Sequence, residues 1–307
     1  LDLAVGNDGD NNEVYLNNGT ALATTPAWTS SNSLSTRSVA WGDVDGDGDL
    51  DLAVGNSDNN EIYLNSGTAL ATTPAWISSN PLGTGSIAWG DVDGDGDLDL
   101  AVGNSDNNEI YLNDGTALAT TPAWTSSNSL RTGSIAWGDV DGDGDLDLAV
   151  GSGGNNEVYL NSGTALATTP AWTSSNSLFT MSVAWGDVDG DGDLDLAVGN
   201  SGSNSNNEVY LNNGTALATT PAWISSNSLG TYSVAWGDVD GDGDLDLAVG
   251  NFVNNEIYLN DGSALATTPA WTSSNSLYTY SVAWGDVDGD GDLDLAVGNS
   301  GSNNEVY

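Results

Sequence analysis

Five aspartates recur within a nine-residue run, Asp-Val-Asp-Gly-Asp-Gly-Asp-Leu-Asp, and six complete copies of the run are present. In the copy that begins at Asp43, carboxylates fall at positions 1, 3, 5 and 9 as Asp43, Asp45, Asp47 and Asp51, with Gly48 at position 6 and the Asp49 carbonyl at position 7. Alternate acids around a tight turn suit a hard cation such as calcium, which takes six to eight oxygen ligands at ~2.3–2.6 Å. The remaining copies are Asp91, Asp93, Asp95, Asp97 and Asp99; Asp139, Asp141, Asp143, Asp145 and Asp147; Asp187, Asp189, Asp191, Asp193 and Asp195; Asp238, Asp240, Asp242, Asp244 and Asp246; and Asp286, Asp288, Asp290, Asp292 and Asp294. A seventh, at Asp2, retains only its last ligand. Leu50, at position 8, is expected to anchor the loop in the core, and the Asp49 side chain to face water. A metal-free Asp/Gly turn explains the composition but not the spacing. Magnesium fits less well, because it demands strict octahedral geometry and keeps its waters. About six calcium sites are therefore expected, one per complete loop.

The charge balance points the same way. The chain carries 44 acidic residues against Arg37 and Arg131, a formal net charge of -42, with no lysine, histidine or cysteine. Such a field repels nucleic acid and anionic membrane and concentrates cations. Six bound calcium ions bring the formal charge to -42 + 12 = -30. Without histidine, lysine or cysteine the usual bases and nucleophiles are missing, so no enzyme is expected. No disulfide or thiolate metal site is possible. No apolar run approaches the ~18 residues that would span a bilayer. Asn-Gly-Thr acceptors at Asn18 and Asn213 matter only in a source that glycosylates.

These loops belong to a repeat. The segment LDLAVGNDGDNNEVY at Leu1 returns almost unchanged at Leu293 as LDLAVGNSGSNNEVY, and the same unit recurs between them at Leu50, Leu98, Leu146, Leu194 and Leu245, in steps of 49, 48, 48, 48, 51 and 48 residues. Within one unit, apolar and polar residues alternate with a period of two, which predicts strands over Ser38–Asp43, Leu50–Gly55, Asn60–Asn65 and 75–79. Four short strands in ~40 to 50 residues, repeated, is the pattern of a β-propeller blade. One all-β propeller domain over 1–307 is expected, with seven blades and six as the alternative, since both ends cut through a repeat. Leu50, Leu52 and Val54 make an apolar row, while Ala53 and Gly55 let a neighbouring sheet come close. Two tryptophans recur per unit, among them Trp41 and Trp89 in one set and Trp28 and Trp76 in the other, a regularity that argues for packing rather than for one ligand pocket.

A blade carrying D-x-D-x-D-G-x-x-D between its first two strands, followed by Leu-Ala-Val-Gly, resembles the FG-GAP and VCBS repeats of integrin α-chain propellers and bacterial surface proteins. That resemblance covers the whole chain. It implies calcium in the Asp loops, ligands on the opposite face and an extracellular or cell-surface setting, but not integrin-like pairing, since no second domain is visible.

Antiparallel blades place loops 1-2 and 3-4 at one end of the sheet and loops 2-3 and 4-1 at the other. The repeats differ most at the second end. There the pairs Ser35 and Arg37, Gly83 and Gly85, Arg131 and Gly133, Phe179 and Met181, Gly230 and Tyr232, and Tyr278 and Tyr280 flank a threonine, and loop 2-3 varies at 8–10, 201–205, Phe252 and Val253. Arg37, Arg131, Phe179, Met181, Tyr232, Phe252, Tyr278 and Tyr280 are the candidate contacts for a protein or carbohydrate partner. Drift in unconstrained loops gives the same pattern. An extracellular recognition or adhesion module is the leading reading; a calcium-dependent lectin, or a self-assembling subunit of a surface layer or filament, is the alternative.

Overall fold

The computed structural model describes residues 2–163, 165–202, 205–301 and 303–307. Among the described residues every regular element is a strand. The strands make seven antiparallel sheets in chain order, spanning 3–29, 36–77, 84–125, 132–173, 179–224, 231–272 and 279–306. Five sheets hold four strands in sequential order, while the first and last hold three. These are the seven blades of an all-β propeller.

The third sheet shows the pattern, with strands Thr84–Gly90, Asp99–Asn104, Glu109–Tyr111 and Trp124–Thr125. Its register sets Gly90 against Asp99, Ala101 against Ile110 and Ile110 against Trp124. Boundaries shift slightly from those expected. In the second sheet the first strand runs Thr36–Gly42, because the buried Thr36 donates its hydroxyl to Asn56 Oδ1 at 2.7 Å and extends the pairing. The third strand shrinks to Glu61–Tyr63, because Asn60 spends its side chain on the Asn56 amide, 3.0 Å away, instead of continuing the ladder. The second and fourth strands are Asp51–Asn56 and Trp76–Ile77.

Two compact units divide the chain. One comprises Leu1–Trp137, Asp145–Val150 and Val158–Ala171, and the other Gly138–Gly144, Gly151–Glu157 and Trp172–Tyr307. Within the first, both faces of a sheet are covered: Leu100 and Ala101 are fully buried, as is Tyr111. Glycine makes the close approach possible, since a Cβ on Gly42 would stand 2.6 Å from Trp89 Cδ1. The Trp89 indole donates to the Ala40 carbonyl at 3.3 Å. The other tryptophan set closes the opposite contact. Trp76 meets Tyr111 edge-on, with ring centroids 5.3 Å apart, and donates to the Ala119 carbonyl at 3.1 Å. The second unit repeats these contacts, with Trp223 edge-on to Tyr258 at 5.2 Å. The tryptophans are core, as their regularity implied.

One expectation fails. Leu50 does not anchor its own loop: it is 54% exposed. Its counterparts pack on the glycine that ends the first strand of the preceding sheet, as Leu146 does on Gly90 and Leu245 on Gly186.

Candidate metal centres and loop face

Each Asp loop links the first and second strands of its sheet. Gly46 and Gly48 adopt φ of 71° and 93°, the left-handed region that glycine enters without penalty, and so fold the acids back on themselves. Asp43 accepts the amides of Asp47 and Gly48 at 3.1 and 3.0 Å. Asp51, fully buried at the head of the second strand, accepts the amides of Val44 and Asn65 at 3.0 and 2.7 Å. Those bonds hold the carboxylates at fixed positions while leaving each of them further lone pairs.

The outcome is a triad. Asp43, Asp45 and Asp51 bring one oxygen each within 4.8 Å of one another, as do Asp91, Asp93 and Asp99; Asp187, Asp189 and Asp195; and Asp238, Asp240 and Asp246. Positions 1, 3 and 9 therefore converge, and such a triad can hold a metal ion. Position 5 stands outside it: Asp47 and Asp95 turn their carboxylates to the amides of Asp49 and Asp97, at 2.9 and 3.0 Å. In the fourth sheet Asp139 accepts the amides of Asp143 and Gly144, and Asp147 accepts that of Asn161. In the seventh, Asp286 accepts from Gly289 and Gly291, and Asp294 from Val287. The Asp49 side chain does not simply face water. It is half-buried, and a Cβ on Gly67 would meet its Oδ2 at 2.6 Å. Asp97, Asp193 and Asp244 lie in the same way over Gly115, Gly214 and Gly262.

Electrostatics gives the triads a demand for positive charge. Burial pushes the Asp99 carboxyl up to about 6, with the charges of Asp93 and Asp95 adding to it and the amides of Asn113 and Val92 opposing. Asp195 is pushed up to about 6 for the same reasons, chiefly burial. Burial also raises Asp51, Asp246, Asp93 and Asp189. Asp93 supplies the sharpest sign: its Oδ1 is buried and accepts no hydrogen bond. A buried carboxylate oxygen with no donor is costly unless something positive meets it. The donor set is all carboxylate oxygen, which suits a hard divalent cation.

A second acidic system escaped the sequence analysis. Glu109, only 4% exposed, accepts Asn80 Nδ2 at 2.6 Å and the Tyr111 hydroxyl at 2.8 Å. Asn80 comes from the sheet before, so the glutamate ties two blades together. Glu61 binds Asn32 and Tyr63 likewise, and Glu256 binds Asn227 and Tyr258. Its signal was the Asn-Asn-Glu-x-Tyr segment, whose glutamate is the one acid outside the Asp loops that returns in every repeat.

At the other end of the sheets, the conserved spacing of the flanked threonines has a structural cause. Thr84, Thr180 and Thr231 are at most 1% exposed, and each donates its hydroxyl to an asparagine, Thr180 to Asn200 and Thr231 to Asn251. The residues on either side are left to point elsewhere. Arg37 and Arg131 are exposed, Phe179 and Met181 half-buried, and Gly85 is walled in, its Cβ position 2.3 Å from the Thr132 carbonyl. In the second unit Phe252 stacks on Tyr278 with centroids 4.0 Å apart, and Tyr232 meets Tyr280 edge-on at 5.2 Å. Of the variable stretch 201–205, Ser203 and Asn204 lie outside the described residues.

Blades of this kind, each with an Asp loop between its first two strands, define a repeat propeller with a cluster of carboxylates in its loops. The FG-GAP-like repeat pattern matches residues 1–54, 43–102, 91–150, 139–198, 194–249 and 238–297. The chain belongs to the FG-GAP-like repeat family. No curated protein matches it. Among solved structures, it is similar to an Agrocybe aegerita lectin described as recognising non-reducing terminal N-acetylglucosamine, at 17% identity and a TM-score of 0.58 over 96% of this chain and 83% of that one. It is also similar to BBS1N in complex with ARL6DN, at 17% identity and a TM-score of 0.59, covering 89% and 77% of the two chains. The Vibrio cholerae biofilm matrix protein Bap1 is similar over 87% of this chain and 43% of its own, at 16% identity and a TM-score of 0.50. At such identities the likeness is one of fold.

Proposed function

We propose that the chain is an extracellular recognition or adhesion module without enzymatic activity, in which calcium in the Asp loops rigidifies each blade and the variable loops contact a protein or carbohydrate. The observation that carries the metal is the unpartnered, buried Asp93 Oδ1 inside a triad of carboxylates that recurs from sheet to sheet. Calcium is the cation of choice because the loop offers many oxygens on a flexible turn, whereas magnesium selects rigid octahedra and holds its water. Extracellular calcium is abundant enough to fill sites with dissociation constants of ~10⁻⁴–10⁻³ M, so weak sites suffice there. With calcium bound, Asp51 and its equivalents, which begin the second strand and also accept an amide from the loop after the third, tie three strands to one ion.

The likeness in fold to a lectin, to a propeller solved with a partner protein and to a biofilm matrix protein supports a binding role and leaves the partner open. Thermal unfolding in about 2 mM calcium and in excess chelator tests the metal, since a ligand of the folded state alone must raise its stability. A clear loss of stability on chelation, with equilibrium dialysis returning about six ions per chain, is expected. Equal stability in both buffers refutes the calcium reading.

A further inference from the structure

Among the described residues, large exposed apolar side chains gather around one aromatic corner. Phe252, Tyr278 and Tyr280 are 42%, 48% and 58% exposed, and with the half-buried Tyr232 they form two ring pairs at one end of the sixth and seventh sheets. Beside them opens a cleft of about 360 Å³, whose walls include Ser201, Ser228, Leu229, Tyr232 and Phe252. The segments that build this corner, 226–233, 251–255 and 275–281, contain no charged residue, in a chain of net charge -42. The rings are held out from below: buried Thr231 and Thr279 pin the strands on which Tyr232 and Tyr280 stand.

We infer that this corner is a binding site for a neutral oligosaccharide, an inference that rests on the recognition reading above and names its ligand class. Four properties select that class. Rigid aromatic faces offer apolar area at little entropic cost, and the C–H faces of a pyranose are a flat apolar surface to lay on them. Serine hydroxyls and backbone groups along the cleft match a ring of hydroxyls. The absence of charge gives no purchase to a basic or acidic ligand, and without charge there is no steering of a protein partner. The volume lies in the range of small-ligand pockets, ~300–1,000 Å³, and four rings fall short of the ~800 Å² per partner that a stable protein interface needs. The tryptophans cannot serve, because they are spent between sheets.

The test displays the intact chain to a panel of neutral oligosaccharides built from glucose, galactose, mannose and N-acetylglucosamine, with acidic oligosaccharides and a basic peptide as comparisons. Calorimetric titration of the best binder follows, against Tyr278→Ala, Tyr280→Ala and, as a control on an exposed apolar residue away from the cleft, Ile224→Ala. All three side chains are about half exposed, so the variants keep the fold. Selective binding of a neutral oligosaccharide is expected, weakened about tenfold or more by each tyrosine variant and unchanged by Ile224→Ala. No neutral binder at millimolar concentration, or binding that ignores both tyrosine changes, overturns the inference. The calcium reading has its own readout: a chelation-sensitive melt with no sugar bound removes this site alone, and sugar bound by a chain indifferent to chelator removes the calcium module alone.

Discussion

Chelated protein should lose stability as pH rises from about 4 to 6.5, the reverse of ordinary acid denaturation. Burial lifts the Asp99 and Asp195 carboxyls from 3.8 to about 6 in the folded state. A raised folded pKa means that the protonated form is the one the fold tolerates. The contribution is thus complete below pH 3.8 and is lost as pH climbs through about 6. Two pH units correspond to about 3 kcal/mol, which solvent screening around the partly wetted loops reduces to about 1–2 kcal/mol per carboxylate. The two together give about 2–4 kcal/mol, and Asp51 and Asp246, raised for the same reason, add with the same sign. Calcium should invert the slope, because it would bind the ionised carboxylates that the metal-free fold resists. The stabilisation by calcium should be small at pH 4 and largest above about pH 6.5. Urea unfolding at half-unit pH steps, with chelator and with calcium, reads both curves. A chelated protein that grows more stable from pH 4 to 6.5, or a calcium gain that is the same at pH 4.5 and 7, refutes the assignment of the triads as charge-starved metal sites.

Three further changes probe the parts that position those sites. Glu109→Ala leaves Asn80 and the Tyr111 hydroxyl without their acceptor in a dry interface and should cost about 3–5 kcal/mol in urea unfolding, against about 1 kcal/mol for Glu109→Gln, which keeps an acceptor. Gly42→Ala drives a methyl to 2.6 Å from the Trp89 indole and should cost about 1–3 kcal/mol by overpacking, with the tryptophan fluorescence shifted. Asn113→Ala removes donation to the Val44 carbonyl at 2.7 Å, which ties one sheet's Asp loop to the next sheet. It should cost about 1–2 kcal/mol and weaken calcium binding at the loop that holds Val44, seen by dialysis.

The blade, its repeat and the Asp loop are legible in the sequence because each obeys a local rule: period-two alternation, a step near 48 residues, acids two apart with glycine at the bend. What escaped is non-local. Leu50 looked like a core anchor, yet its counterparts serve the sheet before, a relation that crosses about 50 residues and that no window on one loop contains. Glu109 drew no reading at all, because burial between sheets is not written in the residues beside it. Asp49 was placed in water by default, whereas the turn after the third strand comes over it and needs Gly67 with φ of 74° to do so.

Those misses share a cause that bears on how the protein works. Glu109 and the counterparts of Leu50 join one blade to its neighbour, Asp49 joins one loop to another, and the Asp loop sits where such ties meet. Val44, between the convergent Asp43 and Asp45, gives its amide to Asp51 and its carbonyl to Asn113 of the next sheet. Asp51 reaches the loop after its own third strand through Asn65. An ion held by Asp43, Asp45 and Asp51 would therefore stiffen the turn, the sheet and the contact with the following blade together. Repeats that touch only their neighbours gain stability mainly through such interface terms. Chelation should then loosen blades cooperatively along a unit rather than one loop at a time, and hydrogen exchange would show it. Amides of Asp51–Asn56 and Asp99–Asn104, buried in the sheets and remote from solvent, should lose protection together with the loop amides of Gly48 and Gly96. Exchange confined to the loop glycines would mean that the metal orders the turn alone.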